Sequence, residues 1–270
     1  MNNVLLVGCG HMGSALLSAW MQLKTYSFTV IDPFNYDKLR KKYNKNNIKF
    51  SYEPPDKNQI KKFDIIIFAV KPQVIKKVII EYQDFVFKKN TVIASIIAGK
   101  KISFYKKNII NAHQLVRIMP NMPALINSGV SCLVSNKNFS KNNKKKIDTL
   151  FLKVGKTIWL QNETEIDKAT AISGSGPGYV FTLIEAFEKA AQKVGFSKKI
   201  SKEMVLATIL GSAKLMEKTN KESYDLAKSI AVKGGTTEAG IKVLKNNKPN
   251  QIMYNVFMAA FKRATKLGKK

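Results

Sequence analysis

The sequence predicts an α/β fold in which a doubly wound, mostly parallel sheet is followed by an all-helical domain. Short apolar runs alternate with helical patterns through the first part of the chain, as expected when helices cover both faces of a parallel sheet. After Leu160 strand-like runs stop and helical periodicity dominates. We therefore expect a sheet domain at 1–161 and a helical domain at 162–270.

Eight strands are predicted in the first domain, each a short apolar run bounded by turn residues. The expected strands are Val4–Val7, Phe28–Ile31, Ile48–Phe50, Ile65–Val70, Val92–Ile97, Leu115–Met119, Val130–Val134 and Thr157–Leu160. The clearest helices between them are His11–Leu23, Tyr36–Tyr43 and Ser140–Leu152.

Six helices are predicted in the second domain, several of them separated by glycine or proline. They are Ile166–Ile172, Tyr179–Val194, Lys199–Met216, Tyr224–Ala231, Glu238–Leu244 and Gln251–Leu267. So few residues would form a thin core alone, and small residues at 169–178 and 207–213 permit close helix approach. We expect an intertwined homodimer or a higher oligomer through these helices.

Composition excludes several classes of protein. Two cysteines, Cys9 and Cys132, and two histidines, His11 and His113, give no metal-ligand spacing, so no metal site is predicted. No apolar run is long enough to span a bilayer, and strand-like residues begin at Val4, which leaves no room for a signal peptide. These observations favour a cytoplasmic protein.

The net charge of +28 raises the possibility of nucleic-acid binding. Nearly all of the positive charge is lysine, and it is dispersed along the chain. Arginine, the preferred residue for bases and phosphates, occurs only at Arg40, Arg117 and Arg263. The pattern is typical of a compositional bias, and no specific nucleic-acid partner is predicted.

A dinucleotide site is predicted at the first strand-to-helix turn. Gly8, Gly10 and Gly13 form a Gly-x-Gly-x-x-Gly motif between a strand and a helix, the arrangement of a Rossmann domain. The helix that starts with His11 and Met12 offers unpaired N–H groups and a favourable dipole to the phosphates. A plain tight turn is the alternative, but the strand–helix context favours a cofactor.

Asp32 decides the expected form of the cofactor. It lies 19 residues beyond Gly13, at the end of the second strand, where an acid usually holds ribose hydroxyls and repels a 2′-phosphate. This favours NADH, although Asp32 could merely begin an Asp-Pro turn. The following basic residues could neutralise a 2′-phosphate and leave NADPH open; they are Lys38, Arg40, Lys41 and Lys42.

Four further motifs occur in order along the chain: 68–73 (FAVKPQ), 117–124 (RIMPNMPA), 173–179 (SGSGPGY) and 234–240 (GGTTEAG). With the glycine loop, they resemble the pyrroline-5-carboxylate reductase family over essentially the whole chain. The resemblance implies hydride transfer from NAD(P)H to the C=N bond of 1-pyrroline-5-carboxylate, giving L-proline.

The motifs at 68–73 and 117–124 place polar groups beyond strand ends, where ligands lie in an open parallel sheet. Ala69, Val70, Lys71 and Pro72 are expected at the cofactor, with Lys71 as a cation and Pro72 in the first turn of a helix. Asn121 offers an amide near the nicotinamide. Read alone, Lys71 could equally be a solvated cap and Asn121 an ordinary loop residue.

The last motif is expected to bind the substrate. Gly234 and Gly235 precede a helix, so their N–H groups could form a nest for a carboxylate, and Thr236 could cap the helix. The resemblance implies that Thr237 meets the ring nitrogen of the substrate, which makes it the predicted catalytic residue. Val232 and Lys233 stand where the family commonly has Ser-Pro, which leaves the carboxylate contacts open.

Two alternatives stay open at the level of sequence. A β-hydroxyacid dehydrogenase, or another imine-reducing enzyme, would share the two-domain order; the former should have a catalytic lysine in a glycine-rich helix, and Lys168 and Lys189 lack such neighbours. A nucleic-acid-binding protein on the same scaffold would need clustered arginines or aromatic residues on a basic face.

Overall fold

The computed structural model describes residues 1–43 and 47–268, apart from the side chain of Leu267. Its centre is an eight-stranded sheet in the order β3-β2-β1-β4-β5-β6-β7-β8. The strands are β1 Asn2–Val7, β2 Tyr26–Ile31, β3 Ile48–Ser51, β4 Ile65–Phe68, β5 Val92–Ser95, β6 Gln114–Pro120, β7 Gly129–Ser135 and β8 Gly155–Trp159. The predicted fold class is confirmed.

Eleven α-helices accompany the sheet within the described residues. They are α1 His11–Trp20, α2 Tyr36–Lys42, α3 Ile75–Val78, α4 Ile102–Asn108, α5 Lys141–Phe151, α6 Glu163–Ala169, α7 Gly176–Lys193, α8 Lys198–Thr219, α9 Ser223–Ile230, α10 Thr236–Asn246 and α11 Pro249–Gly268. A π-helical turn, Thr170–Gly174, separates α6 from α7, where one unbroken helical segment over Ile166–Ile172 was predicted.

Alternate residues of β1 supply the two faces of the core. Val4 and Leu6 belong to one apolar cluster, which also contains Trp20, whereas Leu5 and Val7 belong to the cluster on the opposite face. Both faces are therefore buried, which explains why the strands have continuous apolar runs rather than alternating ones. The predicted strands were visible in the sequence for this reason.

All neighbouring strands pair in parallel except β6 and β7, which are antiparallel. Only residues 121–128 connect these two strands, too few for the helical crossover that a parallel pair needs. The chain turns through Met122–Ile126, a 3-10 segment, and returns as β7. The sheet is thus mostly, but not wholly, parallel.

Two glycines meet where β7 and β8 begin, because Gly129 pairs with Gly155 in the ladder. Gly155 has a φ of +140°, and an added Cβ would overlap the carbonyl oxygen of Gly129. A Cβ on Gly129 would lie 2.8 Å from the backbone nitrogen of Ala124. Backbone therefore packs directly on backbone at this corner.

The chain divides into two compact units: unit 1 contains 1–175 and 260–270, and unit 2 contains 176–259. Unit 1 thus includes α6 and the π-helical turn, which follow the boundary that the sequence analysis placed after residue 161. The assignment of 162–270 as one functional domain stays a prediction.

Unit 2 consists of helices whose apolar side chains face outward. In residues 176–259, all of which the structure describes, Val205 and Ser201 are the buried residues. Many large apolar side chains of this unit are exposed, among them Phe181, Phe187, Leu210, Val243 and Tyr254. A helical unit that buries so little needs another surface to cover it.

Candidate active site

The glycine loop lies at the crevice of the sheet where ligands of doubly wound folds bind, since β1 has β2 on one side and β4 on the other. Gly8 has a φ of +89°, and a Cβ there would lie 2.6 Å from Cγ1 of Val70. A Cβ on Gly13 would lie 2.8 Å from the Gly8 carbonyl oxygen. Gly8 and Gly13 therefore permit a tight turn and a close helix.

Gly10 differs from its two neighbours, because an added Cβ would meet nothing within 4 Å. The loop is open on this side, and α1 starts immediately after it with exposed His11 and half-buried Met12. The first N–H groups of a helix have no partner within the helix. Open space in front of free N–H groups fits the diphosphate of a dinucleotide.

Asp32 is buried, with 7% of its surface exposed, and its carboxylate accepts hydrogen bonds from within the protein. Its Oδ2 accepts a hydrogen bond from the Cys9 backbone N at 2.7 Å, which braces the glycine loop. Its Oδ1 accepts from the Asn35 backbone N at 3.0 Å, and Nδ2 of Asn35 lies within 3.2 Å of both carboxylate oxygens. The carboxylate closes a turn, as the alternative interpretation of Asp-Pro predicted; a contact with the ribose stays a prediction.

Cys9 fills the space inside the loop. Burial raises the pKa of its thiol to about 11, although a hydrogen bond with Ser14 opposes the rise. The thiol is therefore protonated near neutral pH, and a protonated thiol is a poor nucleophile. Cys9 is therefore a small buried spacer in the loop rather than a nucleophile.

The segment after β4 continues beside the glycine loop. Ala69 donates its backbone N–H to the Val7 carbonyl at 2.7 Å, and Val70 packs against Gly8. Lys71 and Pro72 are exposed, and Val74 N donates to the Lys71 carbonyl at 3.1 Å. Pro72 thus occupies the second position of a tight turn, because α3 begins only at Ile75; its expected place in the first helical turn was wrong.

Asn121 is 9% exposed and holds three segments together. Its Nδ2 donates to the Ser173 carbonyl at 3.2 Å, and its Oδ1 accepts from the Val130 backbone N at 2.9 Å. The amide therefore ties the turn after β6 to the start of β7 and to the π-helical turn. The contact of Asn121 with the nicotinamide stays a prediction, and the amide already makes two structural hydrogen bonds.

A buried ion pair in β6, the strand that leads to Asn121, was not predicted from the sequence. Arg117, in the middle of β6, is 3% exposed, and its Nη2 lies 2.8 Å from Oδ1 of Asp167. Glu163 approaches its Nη1 at 3.5 Å and also accepts a hydrogen bond from the Ile102 backbone N. An arginine inside an otherwise apolar strand was the available signal, because a buried charge needs a partner.

The predicted substrate segment belongs to unit 2. Gly234, with a φ of +77°, donates its N–H to Oε2 of Glu238 at 2.7 Å, and Gly235 donates to the Val232 carbonyl at 3.0 Å. Both glycine N–H groups of the expected nest are therefore engaged. The first-turn N–H groups of Thr236 and Thr237 are the ones that the helix geometry leaves for an anion.

Val232 and Lys233, which stand where the family commonly has Ser-Pro, are both exposed. Val232 forms the inner wall of the turn, since a Cβ on Gly235 would lie 2.9 Å from its Cγ2. Lys233 adds a cation one residue before the glycines. Thr237 itself is half-buried at the start of α10.

Neither a metal centre nor a membrane segment is indicated by the part of the chain that the structure describes. No group of three or more His, Cys, Asp or Glu side chains in 1–43 and 47–268 could hold a metal ion. Among the same residues, no helix is both long and apolar enough to cross a bilayer.

Comparison with known proteins agrees with this arrangement. Residues 163–267 match the family described as pyrroline-5-carboxylate reductase dimerisation, and residues 3–99 match the family described as NADP oxidoreductase coenzyme F420-dependent. A pyrroline-5-carboxylate reductase of Pseudomonas aeruginosa is 33% identical over 204 residues, which cover 76% of this chain and 74% of the relative.

Two solved structures align over almost the full length. One is a pyrroline-5-carboxylate reductase from Coxiella burnetii, with a TM-score of 0.89, 28% identity and coverage of 100% of this chain and 99% of the other. The second is a pyrroline carboxylate reductase from Plasmodium falciparum with NADP bound, with a TM-score of 0.81, 28% identity and coverage of 99% and 98%.

Proposed function

The chain belongs to the pyrroline-5-carboxylate reductase family, and on that premise we propose which of its residues perform the reaction. Its activity is the reduction of 1-pyrroline-5-carboxylate to L-proline, the last step of proline biosynthesis, with a nicotinamide dinucleotide. The observation that carries the residue assignment is the Gly-Gly-Thr-Thr start of α10, with a half-buried Thr237.

Thr237 orients the ring nitrogen of the substrate. Its hydroxyl can both donate and accept a hydrogen bond, so it can hold the nitrogen before and after that atom changes from imine to amine. The protonated imine is already electrophilic, so the chain needs no strong acid at this point. The contribution of Thr237 is to position the substrate and to stabilise the developing amine.

The substrate carboxylate is held at the amino end of α10. The N–H groups of Thr236 and Thr237 are available there, and the helix dipole favours an anion. Lys233 adds positive charge, whereas Glu238 places a carboxylate on Gly234. Binding through Gly234 therefore requires Glu238 to release that N–H, and binding through the threonines does not.

Gly8, Gly10, Gly13, His11 and Met12 hold the diphosphate of the cofactor, and Ala69, Val70, Lys71, Pro72 and Asn121 lie toward its nicotinamide half. When bound, the nicotinamide supplies the hydride that the imine carbon of the substrate accepts. The protein contributes orientation and the exclusion of water. The proposal requires cofactor and substrate to meet in the assembled protein, because hydride transfer needs contact.

NADPH is the proposed physiological cofactor. One ground for NADH was that Asp32 would hold ribose hydroxyls, yet both oxygens of this residue already accept internal hydrogen bonds. Arg40 and Lys42 belong to α2, the helix that follows the Asp32 turn, and they supply positive charge after the end of β2. The relative from Plasmodium falciparum has NADP bound.

The cytoplasm stays the proposed location. Cys9 and Cys132 are both free and buried, which suits a reducing compartment. A homo-oligomer is supported by the dimerisation family that matches 163–267 and by the exposed apolar residues of unit 2.

The test is oxidation of NADPH and of NADH with pyrroline-5-carboxylate and with its six-membered homologue. We expect NADPH to give the higher kcat/KM, and we expect Thr237→Ala to lower kcat/KM by roughly tenfold or more. Thr237→Ser keeps the hydroxyl and should retain most activity. The matched control is Thr208→Ala, an exposed threonine within α8 whose hydroxyl donates to its own helix.

Three results would contradict these assignments separately. An unchanged kcat/KM in Thr237→Ala would remove its role. A tenfold preference for NADH would reverse the choice of cofactor. Faster turnover of the six-membered imine would move the substrate class to another cyclic imino acid.

A further inference from the structure

Three aromatic side chains lie just beyond the ends of β2 and β3: Phe34, Tyr36 and Tyr52, which we call the aromatic platform. Phe34 is 96% exposed and Tyr52 is 50% exposed. Tyr36 and Tyr52 stack on each other, with ring centroids 3.8 Å apart and an interplanar angle of 24°. Such exposure of large apolar rings on a well-packed unit marks a contact surface.

The sheet register places this platform beside the glycine loop. Val7, the last residue of β1, pairs with Ile31 of β2, and Ile31 pairs with Ser51 of β3. Gly8, Asp32 and Tyr52 therefore follow three adjacent parallel strands at the same edge. Phe34 lies two residues after Asp32 in the turn that begins there.

That turn fixes the backbone on both sides of Phe34. Asn35 donates its backbone N–H to Oδ1 of Asp32 at 3.0 Å and to the Asp32 carbonyl at 3.3 Å. Pro33 has a fixed φ, which further restricts the turn. The Asp32 carboxylate also holds the glycine loop through Cys9. One carboxylate thus connects the diphosphate loop to the turn that presents Phe34 to solvent.

We propose that the adenine ring of the dinucleotide stacks on Phe34, beside the Tyr36–Tyr52 pair. The inference rests on the proposed function, because a diphosphate at the glycine loop directs the adenosine half of the cofactor toward the end of β2. A base has a flat apolar face and stacks well on an aromatic ring. Phe34 binds the cofactor and takes no part in hydride transfer.

The test measures binding of adenosine 2′,5′-bisphosphate, which contains the adenosine half alone, by titration calorimetry on the full-length protein. We expect Phe34→Ala to weaken this binding roughly tenfold, with an equal rise in KM for NADPH and an unchanged kcat, because stacking on a single aromatic ring has about this effect. Phe34→Trp should keep the wild-type affinity.

Val86→Ala is the matched control, because Val86 is an exposed apolar residue in the loop before β5, at the opposite edge of the sheet. It should change neither constant. A wild-type Kd and KM in Phe34→Ala would overturn the proposal, and so would a change of oligomeric state with both constants unchanged, which would assign Phe34 to a subunit contact.

Failure of the proposed function has a different signature. Wild-type protein that binds the bisphosphate but does not reduce pyrroline-5-carboxylate would contradict the reaction and leave the adenine contact standing. Wild-type protein that reduces the substrate, together with a Phe34→Ala variant of normal affinity, would contradict only the adenine contact.

Discussion

Units 1 and 2 solve the problem of burial in opposite ways. In unit 1 both faces of the sheet are covered by the chain itself, and large side chains such as Trp20, Tyr82 and Phe151 are fully buried. In unit 2, Val205 and Ser201 alone are buried, and apolar side chains cover its surface. The glycine loop, proposed to hold the cofactor, therefore lies on a unit that buries its own core. The segment proposed to bind the substrate lies on a unit whose apolar surface needs a partner to cover it.

Charged substitutions on the apolar surface of unit 2 should have the largest effect. We expect the double substitution Phe187→Asp and Leu210→Asp to dissociate the oligomer and to lower imine reduction roughly 100-fold or more, since an obligate oligomer loses its folded state when its interface is lost. Sedimentation velocity and NADPH oxidation measure the two effects. Binding of adenosine 2′,5′-bisphosphate should persist, because its site belongs to unit 1.

Ile80→Asp together with Val86→Asp is the control, since both residues are exposed apolar side chains of unit 1. These changes should leave the oligomer intact. An intact, active oligomer after the unit 2 substitutions would show that unit 2 is stable without that surface.

The two units also differ in the burial of their ion pairs: Arg117–Asp167 in unit 1 is buried, whereas Glu185–Lys189 in unit 2 is exposed. Asp167→Ala leaves the buried Arg117 cation without its nearest partner, and we expect the free energy of unfolding to fall by about 3–5 kcal/mol. Glu185→Ala breaks an exposed ion pair in unit 2, in which Lys189 lies 2.7 Å from Glu185. It should leave the free energy of unfolding unchanged within experimental error. Urea titration at one fixed protein concentration compares them.

Replacing both Arg117 and Asp167 by leucine should recover part of the loss, because it removes the unpaired buried cation, while Glu163 keeps its hydrogen bond from the Ile102 backbone N. Equal unfolding midpoints for wild type and Asp167→Ala would mean that the buried pair is not a stabilising element.

The smallest expected effect concerns the cofactor side of unit 1. Arg40→Gln should lower kcat/KM for NADPH roughly fivefold and leave the value for NADH unchanged, because it removes a cation from the proposed 2′-phosphate side. Lys61→Gln makes the same charge change before β4, at the amino edge of the sheet, and should alter neither value. A parallel loss with both cofactors would assign Arg40 to the fold.

Apolar runs in the sequence predicted all eight strands. The prediction was clearest for β4 and β5, in which every residue is buried, and weaker for β3 and β8, which are partly exposed. The glycine loop was equally visible, since Gly8 and Gly13 meet steric demands that only glycine satisfies. These are local properties of the chain, and their physical causes lie within a few residues of one another.

Contacts between distant segments were not predictable in the same way. The Arg117–Asp167 pair joins residues 50 positions apart, and Asn121 bonds to Ser173 across 52 positions. The hydrogen bond from Gly234 to Glu238 is local, but its existence depends on a side-chain rotamer. The four-residue α3 was too short to show a helical period.

The close packing of Gly129 on Gly155 limits which substitutions and insertions this part of the sheet can accept. Because neither position has room for a side chain, the corner admits no conservative exchange, and a residue inserted into either neighbouring segment would shift the ladder between β7 and β8. Homologous chains should therefore keep both glycines and tolerate length changes elsewhere, for example in the exposed loop at 56–58.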